Sequence, residues 1–243
     1  MRNYRVHSDS DFIVGQPASL DERSSHHLGR VLRVKVGDAV TVFNGDGYNY
    51  DSHISAITKS RITVDLVSKE DPGNESPLCT HLGLAVSKGD RFEWAIKKAT
   101  ELGVSSISPI LSQRVDVRLA PERWQKKRDH WQQVVISACE QSGRAMVPEV
   151  APPQQIRGWL EASAADYKFC LHPGLSSALP TAQPGSIALL IGPEGGLTED
   201  EVALAIDCGF QGLNLGPRIL RTETAPIVAL SVVGAHWGDL RAI

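Results

Sequence analysis

Three short segments concentrate the residue types that do chemistry. The first is Leu190-Ile-Gly-Pro-Glu-Gly-Gly196, closing an apolar run just ahead of a Thr198/Glu201 pair at capping-box spacing. It places Ile191, Gly192, Pro193, Glu194, Gly195 and Gly196 at the carboxyl end of an expected strand, where open α/β sheets bind ligands. A tight turn needs one or two glycines; three around a rigid Pro-Glu leave backbone amides uncovered and point to a small-molecule site. The second is Leu213-Asn-Leu-Gly-Pro-Arg-Ile-Leu-Arg-Thr-Glu-Thr-Ala-Pro226, which sets Arg218 and Arg221 beside Thr222, Glu223 and Thr224 ahead of an apolar helix. Thr224 reads as that helix's cap, but the set as a whole exceeds what a connection requires. The third, Cys139-Glu-Gln-Ser-Gly-Arg144, ends a long helical pattern with Glu140, Gln141, Ser142 and Arg144. Polar helix ends are routine, so alone it says little.

Other chemistries find no support. There is no G-x-x-x-x-G-K-[ST] loop and no G-x-G-x-x-G after a first strand, which argues against a P-loop and a dinucleotide site. The four cysteines, Cys79, Cys139, Cys170 and Cys208, are scattered without metal-ligand spacing, so reduced thiols and no metal are expected. The start carries no apolar core of a secretion signal, and the longest apolar stretch, 225–235, is too short to span a bilayer. A soluble cytoplasmic protein is the expectation.

The elements that must position these segments follow from periodicity. Residues 1–70 are β-rich: 39–43, 53–57 and 61–67 alternate at strand period, and Asn44-Gly-Asp-Gly47 is a strong turn signal. One short helix is expected over 21–31. Short strands with tight turns suggest a small barrel or curled sheet. The polar stretch 69–77, with two prolines and a glycine, reads as a linker. This gives a first domain over 1–71, a linker over 72–79 and a second domain over 80–243. In the second, strands at 82–86, 107–111, 168–171, 187–191 and 213–215 alternate with helices at 90–103, 121–142, around 156–160, 198–209 and 224–237. That alternation implies a mostly parallel sheet covered by helices.

Net charge is −3 over 243 residues, yet its distribution is uneven. Residues 88–144 carry eleven basic and seven acidic side chains, whereas 145–243 carry five and ten. A concentrated basic stretch suits one face meeting phosphates. The cations such a face could use are Arg2, Arg5, Arg30, Arg33 and Lys35 in the first domain. Arg114, Arg118, Arg123, Lys126, Lys127, Arg128 and Arg144 extend the set through the basic stretch.

The pairing of Ile191–Gly196 with the LGPRILRTETA segment, and EQSGR upstream, resembles the RsmE family of the SPOUT superfamily. The opening MRNYRV, the His27-Leu-x-x-Val-Leu-Arg33 element and Val36-Gly-Asp38 also match that family's N-terminal PUA-like domain, so the resemblance covers essentially the whole chain. It implies S-adenosyl-L-methionine-dependent methylation of N3 of a specific uridine in 16S ribosomal RNA, in the small ribosomal subunit. It implies a PUA-like barrel followed by an α/β SPOUT domain with a C-terminal trefoil knot, and a homodimer. Carried onto this chain, the cofactor set is Leu171, His172 and Pro173; Ile191, Gly192, Pro193, Glu194, Gly195 and Gly196; and Leu215, Gly216, Ile219, Leu220, Arg221, Thr224 and Ala225. Because uracil N3 bears a proton, transfer needs a base and a stabiliser for charge on the flanking oxygens. Glu140 and Glu223 are candidate bases, with Arg221 at the catalytic loop and Arg144 toward RNA. The cations of the first domain and of the basic stretch are, by the same resemblance, the implied RNA contacts. Two alternatives stay open: a SPOUT enzyme acting on transfer RNA or a 2′-O ribose, and a non-catalytic ribosome assembly factor. The N-terminal domain and the RILRTETA form speak against the former, the intact glycine- and arginine-rich loops against the latter.

Overall fold

The alternating run of the first domain folds into a five-stranded sheet in the order β1 (Tyr4–His7), β3 (Ala39–Phe43), β4 (Asn49–Ile57), β5 (Ile62–Glu70), β2 (Pro17–Ser19). The computed structural model describes residues 4–117, 119–175 and 177–241, so Arg2 and Arg118 lie outside the described residues. β1 pairs with β3 in parallel and the other pairs are antiparallel. Alternate positions, among them Val6, Val40, Val42, Ile54, Ile62 and Val64, turn inward onto Leu20 and Leu28. The edge strands β1 and β2 do not pair with each other. At one end they are bridged through Ser10 Oγ, which donates to the Ser19 carbonyl at 2.8 Å, and through the Asp21 N–H, which donates to Ser8 Oγ at 3.0 Å. The curled sheet is thus closed at that end by side chains rather than by a ladder.

The helix expected over 21–31 divides in two. α1 (Glu22–His26) is capped by Asp21, whose carboxylate accepts the Ser24 N–H at 2.8 Å, and a π-helical turn (His27–Leu32) follows. Arg33 ends it in the left-handed region, with φ 55°.

Two compact units emerge, and they are not two uninterrupted blocks of sequence. One comprises residues 1–75 together with 139–147; the other comprises 76–138 and 148–243. The second unit holds a parallel sheet in the order β12 (Gln211–Leu213), β10 (Tyr167–Leu171), β11 (Ser186–Ile191), β6 (Cys79–Ala85), β7 (Ser106–Leu111), β8 (Glu149–Val150), with β9 (Gln154–Gln155) also on β7. β12 ends two residues before the expected strand, so Asn214 and Leu215 already belong to the loop. Residues 79–85, 186–191 and 106–111 are apolar and largely buried, as suits strands covered on both faces. On one face Trp159 and Leu160 of α4 (Ile156–Ala162) and Val202 and Ala205 of α5 (Glu199–Asp207) share a core with Ile110, Ala188 and Leu190. Elsewhere in the unit Phe92 of α2 (Arg91–Glu101) meets Trp131 of α3 (Pro121–Ser142) at a 4.4 Å ring separation, and α2 packs on α6 (Thr224–His236). Among the described residues no helix is long and apolar enough to cross a membrane.

Candidate functional site

Strand register decides which loops meet. Leu171 is level with both Ile191 and Leu213, and Ile191 is level with Leu84. Ala85 in turn pairs with Ile110. Five parallel strands therefore end on one edge and deliver the loops 86–90, 112–117, 172–175, 192–197 and 214–223 side by side, the position where such sheets bind ligands.

A pocket of about 730 Å³ opens among the last three of these loops. It is lined by Leu171, His172, Pro173, Ile191, Gly192, Pro193, Glu194, Gly195, Gly196, Leu215, Gly216, Ile219, Leu220, Arg221 and Ala225. Of the residues that the resemblance assigns to the cofactor, Thr224 alone is off this wall; it lines a wider, adjoining cleft of about 1160 Å³. The two cavities share Arg91, Arg114, Glu194, Gly195 and Glu223. Ile219 is 87% exposed, an apolar side chain held at a wall rather than in a core.

The glycine loop is shaped by two positions. A Cβ on Gly192 would stand 3.0 Å from Leu197 Cγ, closer than side chains ordinarily pack, and Gly196 sits at φ +70°, where L residues are strained. The loop is then anchored from outside. Arg114 Nη1 donates to the Gly195 carbonyl at 2.7 Å and to the Leu197 carbonyl at 3.3 Å. Arg91 Nη1 meets Glu194 Oε1 at 3.1 Å. The capping box read from Thr198 and Glu201 is present in full, and Glu201, 8% exposed, does more than cap. Its Oε2 accepts the Thr198 N–H at 2.9 Å while Oε1 accepts the Gln113 N–H at 2.7 Å. One carboxylate thus ties the 112–114 turn to the start of α5.

Thr224 does not cap α6, contrary to the reading from sequence. Glu223 occupies the cap position without a capping bond, and the Thr224 and Ala225 N–H groups both donate to the Arg221 carbonyl at 2.9 Å. The chain is already helical there, so backbone turns satisfy the donors that a side chain would have taken. The side chains of Arg218 and Arg221 have no partner among the described residues and stand exposed.

Arg5 and Arg144, read from sequence as RNA contacts, and Glu140, read as a candidate base, each hold partners within the first unit. All three belong to the first unit and line neither cavity. Arg144 is buried and bidentate on Glu75, with Nη2–Oε2 at 2.6 Å and Nε–Oε1 at 3.2 Å. Arg5 donates to the carbonyls of Cys139 and Arg144 at 2.5 and 2.8 Å and lies 3.8 Å over the Phe43 ring; burial lowers its pKa to about 10. Glu140 accepts the His7 N–H at 3.1 Å and lies 3.5 Å from Arg23 Nη2. These side chains hold residues 139–147 against the sheet of the first unit, because a charge removed from water must find a partner. Arg30, Arg33 and Lys35 are exposed as expected for surface cations. On α3, Arg123 and Lys126 are exposed, Lys127 lies 5.3 Å from the Trp131 ring, and Arg128 donates to the Val150 carbonyl at 2.7 Å.

Sequence reasoning missed the other side of the cavities: Arg91 on the pocket, and Lys88, Trp94 and Asp116 on the wider cleft. The available signal was position. Lys88-Gly-Asp-Arg91 follows a buried strand and opens a helix, as the glycine loop does.

Residues 74–234 match the family model described as an RNA methyltransferase domain, and 20–67 match an RNA methyltransferase PUA domain. The ribosomal RNA small subunit methyltransferase E of Buchnera aphidicola subsp. Schizaphis graminum is 36% identical over 93% of this chain and 94% of that protein. The protein of the same name from Bacillus subtilis is 30% identical over 99% of each chain. A Legionella pneumophila structure in complex with the bound cofactor SAM superposes with TM-score 0.94 at 39% identity, covering 99% of this chain and 100% of that one. The Neisseria gonorrhoeae ribosomal RNA small subunit methyltransferase E, bound to S-adenosyl methionine, gives 0.92 at 37%, with 99% and 100% covered. With both domain models matched in order and full-length relatives of one name, the chain belongs to the ribosomal RNA small subunit methyltransferase E family.

Proposed function

We propose that this protein methylates N3 of a uridine in 16S ribosomal RNA of the small subunit, in the cytoplasm, using S-adenosyl-L-methionine. The observation that carries the reading is the junction of two cavities at one sheet edge: a pocket built on three strand ends and a wider cleft beside it, sharing Glu223. A volume of about 730 Å³ is in the range of small-molecule sites. Its lining suits the cofactor's parts. Leu171, Ile191, Leu197, Leu213 and Leu220 offer apolar walls for a flat base, and the glycine backbone offers polar groups for its edge and for the amino-acid end. When bound, the cofactor supplies an electrophilic methyl group on a sulfonium.

The chain's own residues then have two tasks. Glu223 borders both cavities, so its carboxylate is the candidate to take the N3 proton of a uracil lying in the cleft. Arg221, exposed and without a side-chain partner among the described residues, is the candidate to stabilise charge on a uracil oxygen. A homodimer is part of the reading: α6 leaves Ile227, Val228 and Val232 only partly covered, an apolar strip that a second copy would shield. Ribosomal RNA from cells lacking the protein should lose an N3-methyluridine, read by mass spectrometry of nuclease digests. Persistence of the full N3-methyluridine content removes this assignment.

A further inference from the structure

Four of the chain's five tryptophans sit in ring clusters. Trp124 meets Trp131 at 6.3 Å, Trp159 meets Phe210 at 5.7 Å, and Trp237 stacks on Phe169 at 6.0 Å. Trp94 differs: it is 45% exposed, and its indole has no ring, cation or hydrogen-bond partner among the described residues. It lines the cleft of about 1160 Å³, where it is the one aromatic and the one apolar side chain among the described residues. Its neighbours on that wall are charged side chains, two glycines and Thr224.

The indole is held in place before any ligand arrives. Phe92, Ala95, Ile96 and Ala99 of α2 are buried, and Phe92 packs on Trp131, so the core fixes the helix. Arg91 lies one turn before Trp94 on the same side of α2, and its guanidinium meets Glu194 at 3.1 Å. Just ahead of the helix Lys88 meets Asp116 at 2.7 Å. A single aromatic face therefore stands among charged groups that already have partners.

A ligand suited to such a wall has a flat π face and polar atoms around its edge. A nucleobase has both. The cofactor's adenine is not that base, because Trp94 is absent from the pocket that suits the cofactor. The acceptor supplies another. N3 lies on the pairing edge of uracil, so the base must leave any pair or stack before a methyl group can reach it. Enzymes that act on bases in this way hold the extruded base against aromatic or apolar side chains. We propose that Trp94 is the stacking platform for the target uracil, whose N3 edge turns toward Glu223 on the same cleft. Stacking on the indole offsets part of the cost of unstacking the RNA. The inference rests on uridine N3 being the acceptor, and it adds the residue that keeps the base in the cleft.

The test is steady-state transfer of a tritiated methyl group by the full chain to small ribosomal subunits from cells lacking the protein, with the product identified as N3-methyluridine. Trp94→Ala should lower kcat/KM for the subunits by about ten-fold or more, the loss expected when a base-stacking ring is removed. Trp94→Leu keeps apolar bulk without a π face and should fall as far. Trp94→Phe keeps a ring and should stay within about three-fold of wild type. Affinity for S-adenosyl-L-methionine, by calorimetry, and the sedimentation coefficient should be unchanged in all three variants. Leucine serving as well as phenylalanine overturns the platform, as does wild-type kcat/KM in Trp94→Ala or a Trp94→Phe protein as slow as Trp94→Ala. A shifted sedimentation coefficient would make Trp94 a contact with a second copy of the chain, and lost cofactor affinity would make it a support of the pocket; either result also overturns the proposal. Wild-type protein that binds the cofactor yet forms no N3-methyluridine removes the acceptor reading, and the platform with it.

Discussion

In the first unit Arg144 is buried and bidentate on Glu75, and Arg5 is spent on two carbonyls and a ring face; in the second, Arg218 and Arg221 stand exposed with no side-chain partner among the described residues. Arg144, Arg218 and Arg221 sit in polar or glycine-containing segments of the kind that suggests a site, and Arg5 in the strand β1. What separates them is solvent. A guanidinium taken out of water must be paired, and the pair then organises the chain around it, here residues 139–147 on the first unit's sheet. A guanidinium left in water needs no partner for the fold, so its cost falls only when a ligand arrives. Arg91 and Arg114 stand between these cases: they line the cavities and already hold Glu194 and the Gly195 carbonyl.

The largest effects test that division directly. Arg144→Ala leaves Glu75 without its partner in a partly buried place and should cost about 3 kcal/mol of unfolding free energy, read by urea denaturation. Arg221→Ala should leave stability within about 0.5 kcal/mol of wild type while lowering methyl transfer by about 100-fold or more. A stable Arg144→Ala protein that fails only in RNA binding would reverse the comparison for that residue.

Much of the second unit was readable because its signals are local. Three glycines after a buried strand, a Thr198/Glu201 box and an apolar helix from 224 each follow from neighbouring residues, and each stands where periodicity places it. The roles of Arg5, Glu140 and Arg144 were not readable, because their partners, Phe43, His7 and Glu75, lie 38 to 133 residues away. The same holds for Glu201: its box is local, but its second bond, to the Gln113 N–H, spans 88 residues. Arg91 and Arg114 were visible as basic residues, yet only the strand order β11-β6-β7 brings their loops to the glycine turn. The π-helical turn and the left-handed Arg33 have no signature in helical periodicity, which sees 21–31 as one helix.

Glu201 offers a finer cut through the second unit, between a cap and an anchor. Thr198→Ala removes only the cap and should cost about 1 kcal/mol. Glu201→Ala removes both N–H acceptors from a buried place, and bonds to a charged group are worth about 1.5–3 kcal/mol each, so about 2 kcal/mol or more is expected. The two should differ more in ligand binding than in stability. Only Glu201 ties the 112–114 turn, and with it the Arg114 bond to Gly195, to the start of α5. Calorimetry with S-adenosyl-L-methionine should find a clear loss of affinity for Glu201→Ala and a small one for Thr198→Ala. Equal losses would reduce Glu201 to a cap.

The smallest expected effect lies in the first unit and concerns pH. His7 is 4% exposed, its ring edge-on to Phe43 at 5.3 Å, and burial lowers its pKa from 6.5, with Arg23 adding to the shift and Asp9 opposing it. A histidine whose folded pKa lies below its unfolded value favours the fold while neutral. Between the two values the unfolded chain binds more protons, so stability rises with pH across that window. The contribution should be full above about 6.5 and diminish as pH falls from there toward the folded value. Urea unfolding of the wild type at a series of pH values from 7.5 to 5 should show this decline, and His7→Phe, which keeps a ring against Phe43 and cannot titrate, should flatten it. The His7 N–H to Glu140 is a backbone bond and survives the substitution. The variant therefore isolates the imidazole's proton from the pairing that holds 139–147 in place. An unchanged slope in His7→Phe would assign the acid sensitivity to His81 instead, whose pKa burial also lowers from 6.5. Asp21 does not contribute in this window: burial by itself raises its pKa, but hydrogen bonds from Ser24, Ser8 and Asp9 hold it below the usual value of 3.8, so its contribution stays full across the series and is lost only at lower pH.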